Sequence, residues 1–93
     1  MLRIERTAIG SSISLRLSGR IGKEELADLE CLIKAETDEK HVVLDLKDVT
    51  LVDLDAVNSL DRYEMAKIKI INAPPYVRAW IETERAAHRN GDM

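Results

Sequence analysis

Residues 41–57, His-Val-Val-Leu-Asp-Leu-Lys-Asp-Val-Thr-Leu-Val-Asp-Leu-Asp-Ala-Val, constrain the fold more than any other stretch. Val42 to Leu46 is a nearly continuous apolar run. Such a run reads as a strand buried on both faces, which implies parallel pairing with helices laid over it. Asp48 to Val52 then reads as a loop, followed by a helix start that carries two acids, Asp53 and Asp55. An acid at that place satisfies free backbone N–H groups and faces the positive end of the helix dipole.

The flanking sequence supplies the partners such a strand needs. Leu2 to Arg6 and Ile13 to Ser18 alternate apolar and polar residues, the period of half-buried strands. Gly10-Ser11-Ser12 between them offers turn chemistry, so the two form a hairpin. Lys23 to about Thr37 reads as a helix with Leu26, Leu29 and Ile33 in one inward stripe and Gly22 as its N-cap. Thr37 to Lys40 is a polar loop. The helix from Asp55 to about Lys67 turns Ala56, Val57, Leu60 and Tyr63 inward and leaves Asn58, Asp61, Arg62 and Met65 more exposed. Ile68 to Ile71 forms a last short strand, and Asn72-Ala73-Pro74-Pro75 opens a third helix with Val77, Trp80 and Ile81 on its apolar side. The expected fold is α/β, in the order β-β-α-β-α-β-α. It has a four-stranded mixed sheet, antiparallel in the N-terminal hairpin and parallel in the remainder, with three helices. One domain spans residues 1–86, and residues 87–93 form a polar C-terminal tail.

Charge and composition exclude several functions. The net charge of −3 comes with scattered basic residues and few aromatics, which argues against nucleic-acid binding. No apolar run is long enough to span a bilayer. The first residues alternate charge and apolar character unlike a signal peptide, and the single cysteine, Cys31, has no intrachain partner. A cytoplasmic location is the expectation.

The segments Leu17-Ser18-Gly19-Arg20-Ile21, Val43 to Val49 with Val52-Asp53, and Ile70 to Ile81 resemble, in order and spacing, three parts of STAS domains. That family comprises sulfate-transporter and anti-sigma-factor-antagonist modules, and the closest likeness is to a compact single-domain bacterial subgroup. The resemblance covers roughly residues 2–85. It implies a STAS-like fold and a non-enzymatic interaction module that switches protein partners in transcription regulation, binding a kinase-like anti-sigma factor. In the family the helix start usually reads Asp-Ser-Ser-Gly or Asp-Ser-Thr-Gly, and a hydroxyl there is phosphorylated. Here the run is Asp53-Leu54-Asp55-Ala56, which places Asp55 at the phosphoacceptor position. A permanent carboxylate implies either a state locked like the phosphorylated one or a partner adapted to an acidic helix end. Thr50 and Ser59 are the remaining nearby hydroxyls, with Thr50 the better alternative acceptor.

The resemblance assigns partner contact to Thr50, Asp53, Asp55, Asn58 and Arg62, with residues 20–22 alongside. Two other roles are consistent with the family. One is a constitutive subunit bound to the ATPase of an ABC-type lipid-transport complex, and the other is a nucleotide or small-ligand sensor. No nucleophile–base pair, phosphate-cradling glycine loop or metal-ligand spacing is visible, so no catalytic residue, cofactor or metal is expected. Asp45, Asp48, Asp53 and Asp55 do crowd one strand end, where oxygen ligands would suit Mg²⁺, but two acids there repel a phosphate. His41 and His88 read as surface residues, Cys31 as a partly buried small side chain, and Trp80 as packing for the third helix. The exposed edge of the hairpin leaves a homodimer open.

Overall fold

A computed structural model describes residues 2–36 and 41–91. The expected loop at 37–40 lies outside the described residues. The elements are β1 (Leu2–Ile9), β2 (Ser12–Ile21), α1 (Lys23–Glu36), β3 (His41–Val52), α2 (Leu54–Met65), β4 (Lys69–Ile71) and α3 (Pro75–Gly91). The sheet order is β1-β2-β3-β4, with β1 antiparallel to β2 and the other pairs parallel. This is the four-stranded mixed sheet with three helices that the sequence predicts.

Gly10 sits at the first position of the two-residue hairpin loop with φ 58°, where a Cβ would be strained. The hairpin places Ile13, Leu15 and Leu17 on the covered face of the sheet, all fully buried. Val42, Leu44 and Leu46 lie beside them on β3, and Leu29, Val57, Leu60, Val77 and Ile81 close the core from the helices. The alternation persists along β3 as far as Leu46. Val43 and Asp45, on the other face, are only half-buried, so the strand is covered on one face rather than both. Parallel pairing needs only a crossover helix, and here α1 and α2 supply it.

The segment expected to be a loop, Asp48 to Val52, is strand. Two register shifts explain the misreading. Arg16 pairs with Asp45, Ser18 with Asp48 and Arg20 with Leu51, so β3 gains one residue on β2 at each of two bulges. The inward residues accordingly run Leu46, Val49, Val52, with two residues between each instead of one. A bulge breaks period two without ending the ladder.

Helix α2 stops through a Schellman arrangement. Lys67 N donates to Glu64 O and Ile68 N to Tyr63 O, and Ile68 is buried beneath the turn. Lys67 takes the left-handed conformation, φ 71°, that glycine normally fills. Helix α3 begins as expected, with Pro74 O accepting from Val77 N and Arg78 N. It continues to Gly91, into the residues 87–93 read as a polar tail. Lys67→Gly relieves the positive φ and should raise stability by ~1 kcal/mol, about 4–8 °C in melting temperature, in a thermal melt.

Candidate functional site

The C-terminal end of β3 and the start of α2 are joined through one carboxylate. Asp53 is extended, φ −106° and ψ −179°, and Asp53 N donates to Ile21 O at 3.4 Å, carrying the β2–β3 ladder one step further. Its Oδ1 accepts from Ala56 N at 2.8 Å, the N-cap bond of α2. Its Oδ2 accepts from Lys23 N at 3.1 Å, the first residue of α1. The expected N-cap role is therefore doubled: Asp53 serves two helix starts. Gly22 holds the capping position of α1, since Gly22 O accepts from Glu25 N and Leu26 N, but it has no side chain to contribute. A Cβ at Gly22 would lie 3.3 Å from Asp53 Oδ2 and 3.2 Å from Glu25 Oε2. The missing side chain lets the neighbouring helix lend its carboxylate.

Around this junction the five expected contact residues divide into three settings. Asp55, in the first turn of α2, is exposed. With Asn58 and Arg62 it lines a groove between α1 and α2 whose opposite wall is Lys23, Leu26, Ala27 and Glu30. Asp53 lies half-buried at the helix junction. Thr50 stands apart near the start of α3, where its carbonyl accepts from the Tyr76 hydroxyl at 3.1 Å. Residues 20–22 do run alongside: Arg20 pairs with Leu51 and Ile21 with Val52.

Several side chains sit differently from their expected places. Asn58 is half-buried, with Oδ1 enclosed and without a hydrogen-bond partner. Asp61, expected on the exposed side of α2, is buried, because Arg85 of α3 reaches across and donates from Nε to its Oδ1 at 2.7 Å. Ser59 is also buried and accepts from Arg62 Nη2 at 3.0 Å. Thr50 remains an exposed hydroxyl-bearing residue. Cys31 is exposed, two residues from both Leu29 and Ile33 and so turned away from the stripe they form with Leu26. Trp80 is partly buried against the core and Met65 is exposed, both as the sequence indicates. His41 is exposed at the first position of β3.

Motif and periodicity alone do not single out a group of exposed apolar residues beside the acids. Leu51 is 52% exposed and Leu54 49% exposed, on either side of buried Val52 and half-buried Asp53, and Tyr76 is exposed as well. The signal was present: with one bulge per inward residue, Leu51 must point away from the core.

The four acids near this strand end are each accounted for. Asp45 Oδ1 accepts from Lys47 N at 3.0 Å and from Asn72 Nδ2 at 3.3 Å. Asp48 pairs with Arg16 at 3.0 Å, Asp53 caps two helices, and Asp55 faces solvent. Among the described residues no group of three or more His, Cys, Asp or Glu side chains is placed to hold a metal ion.

Two ionisable groups on α2 are displaced from their ordinary behaviour. Burial first, then the nearby Glu30 carboxylate, push the Tyr63 hydroxyl up to about 12. Burial raises the Glu64 carboxyl, but hydrogen bonds from Arg78 and Arg85, with their charges, outweigh it and hold Glu64 below its usual 4.5. Arg78 Nη1 and Arg85 Nη2 reach Glu64 Oε1 at 2.8 and 2.7 Å, tying α3 to α2.

No family model matches the chain, and no curated protein matches it. Among solved structures it is similar to an uncharacterized protein of the DUF3478 family with a SpoIIAA-like fold from Shewanella loihica PV-4. The identity is 13% and the TM-score 0.48, over 74% of this chain and 61% of that one, so the chain spans less than two thirds of its length. The likeness assigns no residue a role. No helix among the described residues is long and apolar enough to cross a membrane.

Three outcomes follow from this geometry. Asp53→Ala removes both caps and should cost about 1–2 kcal/mol in denaturant unfolding. Asp53→Asn keeps an acceptor for Ala56 N but not for Lys23 N, and should cost roughly half as much. Glu64 is depressed in the folded state, so its contribution is complete above its unfolded value. That contribution is lost as pH falls from about 4.5 through the lower folded value. Glu64→Gln should flatten the acid limb of stability against pH in that window.

Proposed function

We propose that this chain is a non-enzymatic interaction module of the anti-sigma-factor-antagonist type, and that it docks through the start of α2. The observation that supports this reading is that Leu51, Leu54 and Asp55, within five residues of one another across the β3–α2 junction, are all exposed. Exposed leucines next to a capped and rigid helix start suit an interface with an apolar centre and a charged rim. The groove lined by Asp55, Asn58 and Arg62 continues that surface along α2.

Asp55 occupies the place that a phosphorylated hydroxyl takes in the family, so this module has no phosphate switch there. Its partner presents basic or hydrogen-bonding groups to a carboxylate that is always charged. Thr50 is exposed and Ser59 is closed off, which leaves Thr50 as the one alternative acceptor of the two. A partner of the kinase-like anti-sigma class fits these demands, in a cytoplasmic setting.

Calorimetric titration against an anti-sigma factor from the same genome tests the reading. Binding should weaken at least tenfold, about 1.4 kcal/mol, with Leu54→Glu, and Asp55→Lys should abolish it. Unaltered affinity in both variants would remove the α2 surface from the interface. Incubation with ATP and the partner should leave the chain unmodified by mass spectrometry. A stoichiometric phosphate on Thr50 would overturn the absence of a switch.

A further inference from the structure

We infer that the outer edge of β1 pairs with β1 of a second copy, in one register, to make a continuous eight-stranded sheet. Strand β1 is at the end of the sheet and, among the described strands, pairs with β2 alone. It is eight residues long, contains no proline, and carries no bulge against β2. Natural sheets usually blunt such an edge with a bulge, a proline or inward-pointing charge. The one charge on the covered side of β1, Arg6 beside Leu15, is exposed, and with Ile4 on the axis it would lie opposite Leu2 of the other copy.

Symmetry limits how two β1 edges can meet. Antiparallel strands of one continuous sheet are related by a two-fold axis perpendicular to it, so a residue of β1 must lie opposite itself on that axis. Pairing across β2 fixes the faces: Ile4 lies beside Leu17 on the covered side, and Glu5 lies beside Arg16 on the open side. Placing Arg3, Glu5 or Arg6 on the axis sets like charges against each other. Placing Thr7 there shortens the pairing and matches no opposite charges.

Placing Ile4 on the axis does the reverse. The two Ile4 side chains, each half-buried against its own core, meet and join the two cores. On the open side Arg3 of each copy then faces Glu5 of the other, giving two reciprocal ion pairs. Both residues are exposed in the single chain. Cross-strand pairs of opposite charge and of apolar side chains each favour a register, and directly opposed like charges disfavour it. The contact is short, so the association is reversible and depends on concentration.

Sedimentation equilibrium of the full chain tests this. The mass should rise with concentration from 10.5 kDa toward twice that value. R3E alone or E5R alone brings like charges together and should weaken association at least tenfold. The double variant R3E/E5R reverses both partners and should restore it. A wild-type chain that stays monomeric at several hundred micromolar, or single variants that associate as well as wild type, would overturn the proposal. A second measurement does not depend on charge. In a C31S background, I4C should form a disulfide-linked dimer under mild oxidation, because residues opposite on antiparallel strands lie about 4.5–5.5 Å apart at Cα. I9C, far from the axis, should not, and equal cross-linking of the two would rule the register out.

Discussion

The carboxylate of Asp53 is the contact on which the working end of this molecule depends. It is held from behind by the sheet, through Asp53 N and Ile21 O, and bonds forward to the first turns of two helices. An aspartate has two oxygens, and a single helix cap uses one of them. Here the second oxygen is spent on α1, which begins on a glycine and has no side chain of its own to offer. The arrangement requires the two parallel strands to end level with each other. Pairing of Ile21 with Val52 makes them do so.

That levelling is the work of the two bulges in β3. Without the two added residues, a strand keeping strict alternation would bring different side chains to its end. The bulges return Val49 and Val52 to the core and leave Thr50 and Leu51 outside. Bulges frequently occur where a strand must re-aim its side chains. In this chain they decide which residues border the start of α2.

Periodicity carried most of the architecture in the sequence. The hairpin, the three helices and the parallel crossovers all follow from a change between period two and period 3.6, and each is found where expected. The errors share one physical source: a single-chain pattern does not show what a neighbouring element does. Asp61 looked exposed because a carboxylate on a helix face usually is, and only the fold brings Arg85 over it. Asp48 to Val52 looked like a loop because two inserted residues hide a strand's alternation. Asp53 was recognisable as a cap, but its second bond, to Lys23, spans thirty residues and has no local signature. The exposed leucines passed unnoticed because an apolar residue near a buried strand is ordinarily taken for core.

Tyr76, in the first turn of α3, ties distant parts of the chain together. Its hydroxyl reaches the Thr50 carbonyl, so the opening of the last helix is moored to the outer lip of the central strand. Backbone carbonyls do not change with side-chain substitution, and this mooring survives any replacement of the threonine that preserves the strand.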